Sequence, residues 1–360
     1  MSLVADCGGA IRRLALAFLP HYLEPDRDAE RAVLAATITA FDASVTVLLL
    51  TESDAAAAVT EWAARLQPAA ALQVVATAPV GLLRRRGGLW AQDSFLAAAG
   101  QYLIPLTGGE VGHGALLAAA DRTPLTPVEV MLEGGDSLVG PDFRLIGAEA
   151  VNRTAEFRRL TIAAAEAALA AIDPRPLTVA GYFTADLGTA AAGSNSEKRF
   201  QPWFHLDLMV AVTGLRRDDR PLLLVADPRD GTAPDAPRHP AHAPRLDAMA
   251  ARLEGAGFAV IRNPVPVLRP PQGGSRAPRA YNNVLLQNDP AIVWLPQFSD
   301  LEPALAGCDA SNCEIWRDLG FAVRPVAGWS ALAGPGGALR CAVKVLERAS
   351  DPLREPDRQA

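Results

Sequence analysis

The feature that most constrains this chain is an alternation running through nearly its whole length. Paired apolar runs of strand length are followed by a segment of helical length and then by another apolar run. "SVTVLLLT" (residues 44–51) and "LQVVAT" (72–77) read as buried strands. Asp26–Phe41 and a segment ending at Leu66 read as helices, the second capped by Ser53 or Asp54. The theme returns with "LWAQDSFLAAAG" and "QYLIPLT", then with "EVMLEGGDSLVG", "FRLIGAEAV" and a helix over Thr154–Ile172. It continues with "PLTVAGYF", "WFHLDLMVAVTG", "PLLLVAD" and a helix over Pro244–Gly255, and with "AVIRNPVP", "AYNNVLLQND", "AIVWLPQF" and a helix over Cys308–Gly320. "AVRPVA" and "GALRCAVKVLE" close the series, the latter as the last strand of the final repeat with Cys341 at its entrance. A period of roughly 60 to 80 residues divides 360 into about five ββαβ-like units. The expectation is a single α/β domain over residues 1–350, with 351–360 as a flexible tail. The polar stretches 187–201 and 230–244 and the Pro/Gly-rich 264–278 sit beside strands carrying polar residues, as site loops or linkers would.

Composition narrows the function classes. The formal net charge is -6 and the isoelectric point about 5.5, which disfavours neutralising nucleic-acid phosphates; the short Arg84–Arg86 run does not reverse that. "IRRLALAFLPHYL" is too short and too broken by Pro20 for a membrane span or a signal peptide. Four scattered cysteines, Cys7, Cys308, Cys313 and Cys341, suit a reducing compartment better than a disulfide framework, so the expected location is the cytoplasm. Neither Cys308/Cys313 nor "HPAH" at His239 and His242 makes a four-ligand zinc pattern.

Reactive side chains interrupt four otherwise apolar runs: Asp93 in "LWAQDSF", Glu133 and Asp136 in "MLEGGDSLVG", His205 and Asp207 in "WFHLDLMV", and Cys341 in "GGALRCAVKV". A carboxylate among apolar neighbours requires a partner or a function. Each has an ordinary structural reading: a capped turn, a hairpin bend whose glycines supply positive φ, a satisfied core histidine, small buried packing. In a strand, "HLD" would set His205 and Asp207 on one face, an imidazole able to exchange protons beside an anion able to hold a cation.

Taken in order, these four segments resemble the pentein, or guanidino-group-modifying, superfamily of agmatine and arginine deiminases, dimethylarginine hydrolases and amidinotransferases. "WAQD" is similar to its Trp-x-Arg-Asp, "EGGD" to its Glu-Gly-Gly-Asp/Asn, "HLD" to its His-x-Asp, and "GGALRC" to the glycine-rich approach to its catalytic cysteine. The spacings from Asp93 through Glu133 and His205 to Cys341 are 40, 72 and 136 residues, and the likeness covers about residues 30 to 347. "LIGAEAVNRT" adds an Arg-Thr pair that follows this hairpin in arginine deiminases and dimethylarginine hydrolases. Gln92 stands where the family has arginine, and "ALRC" departs from the Asn-Ile-His-Cys of agmatine deiminases.

The resemblance implies a five-bladed pseudosymmetric α/β propeller and a hydrolase that deiminates arginine or an arginine-derived guanidine through a covalent thiouronium. It casts Cys341 as nucleophile, His205 as acid and base, Glu133 as a group orienting His205 or gripping substrate, and Asp93 and Asp207 as guanidinium ligands. No cofactor or metal is needed, and the partner is a small-molecule or peptide guanidine, with no nucleic acid and no membrane. An amidinotransferase and a non-catalytic binding module are the alternatives. Which guanidine is bound, whether the chain self-associates, and what Arg153 and Arg340 do are left open.

Overall fold

The apolar runs form strands of several small sheets, five of which share one connectivity. A computed structural model describes residues 2–83, 88–109, 112–188, 198–229, 242–271, 273–334 and 336–349. The Arg84–Arg86 run, His239 and the tail 351–360 lie outside the described residues. In chain order come β1 (Ile11–Ala17), α1 (Asp28–Thr39), β2 (Thr46–Glu52), α2 (Ala56–Leu66) and β3 (Ala71–Ala78). Then follow β4 (Leu96–Ala98), β5 (Gln101–Pro105), α3 (His113–Asp121), β6 (Leu125–Val128), β7 (Ser137–Val139), β8 (Arg144–Gly147), α4 (Ala148–Arg158), α5 (Ile162–Ala170) and β9 (Leu177–Ala180). The second half holds β10 (Val210–Arg217), β11 (Arg220–Asp227), α6 (Ala243–Gly255), β12 (Ala259–Pro264), β13 (Val267–Leu268), β14 (Ala277–Pro278), β15 (Leu285–Asn288), β16 (Ala291–Pro296), α7 (Ala306–Asp318), β17 (Ala322–Val326), the one-turn α8 (Leu339–Ala342) and β18 (Val343–Arg348).

In β4–β5–β6, β7–β8–β9, β10–β11–β12 and β15–β16–β17, an antiparallel pair is followed by a parallel neighbour reached through helix. The fifth sheet follows the same rule with its strands taken from both ends of the chain. β18 pairs antiparallel with β1, Val343 opposite Leu16 and Val345 opposite Leu14, and β1 runs parallel to β2 and β2 to β3. β18 is therefore not the last strand of the β15–β17 sheet, as the sequence suggests; it closes the first sheet.

Parallel β2 is buried from Val47 to Glu52, as expected of a strand covered on both faces. Between sheets the core is aromatic. Trp294 of β16 packs on Phe41 with ring centroids 5.0 Å apart, while its indole N–H donates to the Ala40 carbonyl at 3.0 Å. Each such fully buried side chain contributes about 1.5–3 kcal/mol of transfer free energy.

Several boundaries differ from the sequence reading. α2 begins at Ala56 with Ala55 at its N-cap, so Ser53 and Asp54 do not cap it. The helix expected over 154–172 starts earlier and is broken: α4 is closed by Arg159 at its C-cap, whose φ of 54° is left-handed, and α5 starts after Thr161 at its N-cap, whose hydroxyl accepts from Ala164 N–H at 3.2 Å. Among the described residues no helix is long and apolar enough to cross a membrane.

Candidate active site

Every candidate side chain lies just before the first strand of one of the five sheets. Asp93 sits in the turn before β4, Glu133 and Asp136 at the one-turn helix before β7, His205 and Asp207 at the turn before β10, Asn283 before β15, and Cys341 in α8 before β18. The local geometry is not the strand geometry that "HLD" suggests. Leu206–Leu208 is a single 3₁₀ turn with extended His205 as its N-cap, and β10 starts only at Val210. The side chain of Asp136 explains the turn: its Oδ1 accepts from Leu206 N–H at 3.1 Å and from the Gln201 amide at 2.9 Å, so a carboxylate takes the place of a ladder partner. Cys341 is likewise in a helical turn rather than at a strand head.

These turns bring together the five residues to which the sequence reading gave roles, Cys341, His205, Glu133, Asp93 and Asp207, with Asp136 beside them. His205 Nε2 is 2.9 Å from Glu133 Oε2, and Nδ1 is 3.8 Å from Asp93 Oδ1. Asp93 Oδ1 also accepts from Gly135 N–H at 3.0 Å. The Cys341 thiol points at Asp207, with Sγ 3.6 Å from Oδ2 and 3.9 Å from Oδ1. His205, Asp207 and Cys341 are all buried, at 1%, 0% and 2% exposure. The exposed ring of Phe204 stacks on the His205 imidazole at 3.8 Å, forming an apolar rim beside the polar cluster.

Asn283 is a site residue that the sequence reading passed over. Its amide N–H donates to Cys341 Sγ at 3.1 Å while its carbonyl accepts from Cys341 N–H at 3.0 Å, fixing both ends of the cysteine. The signal was present: a polar pair, Asn282–Asn283, at the entrance to the apolar run "VLLQ", the same placement as the other reactive residues. Asp136 and Arg340 were noticed without a role, and the structure gives both several partners. Arg153 reaches the cluster from α4, its guanidinium 3.1 Å from Glu133. Gln92 links two turns, its backbone N–H donating to the Cys341 carbonyl at 3.1 Å and its amide to the Gly134 carbonyl at 3.1 Å.

The cluster is tuned by burial and by its own charges. Burial pulls the His205 imidazole down, yet Asp93, the cysteine sulfur, Glu133 and Asp136 together hold it well above the ordinary value, so it rests as imidazolium. Burial pushes Asp93 up to about 6, moderated by His205. Glu133 loses ground to burial but is drawn down overall by His205 and Arg153. Burial, then the Asp207 anion, push the Cys341 thiol up to about 12, with His205 opposing. Cys341 is therefore held as a neutral thiol, and a further positive charge nearby would favour its thiolate.

Donor atoms of His205, Asp207 and Cys341 all lie within 4.8 Å of one another, near enough to gather around one metal ion. Arg340 already places a cation on that set, its Nη1 2.7 Å from Asp207 Oδ2, so the group reads more simply as a nucleophile, a proton carrier and a carboxylate. Cys308 and Cys313 are buried on α7, away from this set, and His242 stands at the N-cap position of α6.

No protein-family model matches the chain, and no curated protein does. Solved structures do. Agmatine deiminase from C. jejuni aligns with 14% identity over 95% of this chain and 94% of its own, at a TM-score of 0.63. Agmatine deiminase from Enterococcus faecalis aligns with 13% identity over 95% and 94%, at 0.62. An amidinotransferase from Microseira wollei aligns with 11% identity over 97% and 98%, at 0.50. The chain shares the mixed α/β fold of these deiminase and amidinotransferase structures.

Proposed function

We propose that this protein is a cysteine hydrolase of the guanidinium group, acting on arginine or an arginine-derived guanidine, with residues 1–350 as one catalytic domain and its five sheets set as blades around the site. The observation that carries this reading is the convergence of Cys341, His205, Glu133, Asp93 and Asp207 from the turns before first strands of separate sheets. A guanidinium is planar, permanently charged and stabilised by resonance, so attack on its central carbon requires carboxylates to hold it and a soft nucleophile in line. Asp93 and Asp207 supply the carboxylates, and the substrate's own charge offsets the anions that keep the proton on Cys341.

As the substrate cation binds, the Cys341 proton is released to solvent, and the thiolate sulfur bonds to the guanidinium carbon while a C–N π bond opens, giving a tetrahedral adduct. His205 delivers a proton to one terminal nitrogen, which leaves as ammonia, and the carbon remains bound to sulfur as a thiouronium. Water adds to that carbon, His205 taking a water proton. The C–S bond breaks, the thiol is restored, and the product is a ureido compound. Glu133, 2.9 Å from Nε2, fixes the imidazole through both transfers. Four free cysteines fit a reducing compartment such as the cytoplasm.

The test is ammonia release from a panel of guanidines, each with and without acceptor amines, followed by mass spectrometry for replacement of an imino group by oxygen. Release without acceptor, lost in Cys341→Ala, supports the hydrolase. Turnover only with an amine shifts the assignment to an amidinotransferase, and activity unchanged in Cys341→Ala overturns the covalent scheme.

A further inference from the structure

Arg340 is a guanidinium built into the protein beside a site proposed to act on guanidiniums. It is buried, immediately precedes Cys341 in α8, and lies between two carboxylates. Nε and Nη2 donate to Asp6 Oδ1 at 3.0 and 2.8 Å, Nη2 also to the Ser137 carbonyl at 2.9 Å, and Nη1 to Asp207 Oδ2 at 2.7 Å. Asp6 is itself anchored: its Oδ2 accepts from Val139 N–H at 2.7 Å, and its own N–H donates to the Val139 carbonyl at 2.8 Å. The N-terminal segment thus reaches the nucleophile through one arginine.

We propose that Arg340 is a positioning residue for the nucleophile: it commits Oδ2 of Asp207, neutralises that carboxylate behind the Cys341 sulfur, and leaves Oδ1 as the oxygen offered to an incoming cation. Oδ1 is the less engaged atom, with only the 3.9 Å thiol contact among the described residues. A planar fork suits this task, since it can serve two carboxylates from opposite edges, whereas an ammonium is a single point of charge. The identity of the cation rests on the reading above; the effect on the thiol does not.

The charge balance around the sulfur gives the direction. Cys341 faces His205 and Asp207 from the turn before β10, and Asp93 from the turn before β4. Glu133 and Asp136 adjoin His205 from the turn before β7, Asp6 and Arg340 stand behind Asp207, and Lys344 lies on β18. Acids outnumber bases in this set, so removing the Arg340 charge leaves Asp207 as an unopposed anion against the sulfur. The proton then stays on the thiol to higher pH.

The experiment measures alkylation of each cysteine by iodoacetamide as a function of pH, read peptide by peptide by mass spectrometry in the full chain. Cys7, Cys308 and Cys313, buried like Cys341 but outside the candidate site, serve as internal reporters of unfolding. In Arg340→Met the Cys341 alkylation rate at pH 8 is expected to fall roughly tenfold, with the three reporters unchanged. Asp207→Asn added to that variant is expected to restore the rate to within about threefold, because the unopposed anion is gone. A Cys341 alkylation rate unchanged in Arg340→Met, or a loss of rate that Asp207→Asn fails to reverse, overturns the proposal. If all four cysteines become reactive in Arg340→Met, the decision passes to Arg340→Lys, which must show a smaller loss of Cys341 rate at pH 8 reversed by Asp207→Asn; no such loss overturns the proposal equally. Wild-type protein that turns over no guanidine yet shows the Arg340 effect refutes the proposed reaction alone, and the converse result refutes the positioning role alone.

Discussion

Gly135→Ala tests the site at its tightest point. A Cβ built on Gly135 would lie 2.5 Å from His205 Nδ1, 2.8 Å from its Cγ and 3.1 Å from Asp93 Oδ1. Ordinary contact between such atoms is about 3.5–4.0 Å, so the imidazole must retreat by roughly 1 Å. His205 cannot retreat freely, since Glu133 holds Nε2 at 2.9 Å and Phe204 covers the ring. A displacement of that size in a proton-transfer group costs about a hundredfold in rate. The strain itself, about 1–3 kcal/mol of overpacking, lowers the melting temperature by only a few degrees in a chain of this size. The assay is kcat/KM for ammonia release beside a thermal melt, with Gly255→Ala in α6 as control because an added Cβ there meets nothing within 4 Å. The expected result is a loss near hundredfold in Gly135→Ala with folding retained and an unchanged control. A Gly135→Ala protein that melts normally and keeps its activity within about threefold refutes the claim that His205 works from this position.

Asn283→Ala leaves the buried Cys341 N–H without its 3.0 Å acceptor and frees the sulfur, and is expected to cost about 1–3 kcal/mol in a denaturant melt and at least tenfold in kcat. Glu133→Gln removes one of the anions that hold His205 up, so the imidazolium titrates lower and the basic limb of the kcat–pH profile moves to lower pH; a limb that stays in place or moves up assigns it to another group. Arg279 is fully buried and forks onto Glu302, with Nη2 2.6 Å from Oε1; it stands four residues before Asn283, but its hydrogen bonds go to Glu302 and to backbone carbonyls rather than to the candidate site side chains. Arg279→Met is expected to lower stability by about 3–5 kcal/mol while kcat of the surviving folded fraction is unchanged, as measured by active-site-normalised turnover.

The glycines of "EGGD" show how a motif can be found for the wrong physical reason. Neither has the positive φ that a hairpin bend would require. Gly134 is needed because a Cβ would lie 1.9 Å from the Gln92 carbonyl oxygen, and Gly135 because His205 occupies that space. Both contacts join residues far apart in the chain, so local turn statistics could not suggest them. "HLD" is a similar case. The pair does reach the site, but through a 3₁₀ turn held by Asp136 from another sheet, not through strand alternation.

The sequence by itself determined the alternation of strand pairs and helices, and with it the ββαβ connectivity, because periodic burial of apolar side chains is a local property that needs no knowledge of partners. It also marked the reactive residues, since charge inside an apolar run is costly wherever the run ends up. Only the tertiary structure decided that β18 closes the first sheet beside β1, which carries Cys341 and Arg340 to the N-terminal segment and Asp6. Only it showed that Asn283 grips the cysteine and that Arg340 already occupies an oxygen of Asp207. Hydrogen bonds and charge pairs are set by distance in space, and residues separated by 58, 133 or 334 positions meet because the sheets bring their leading turns together.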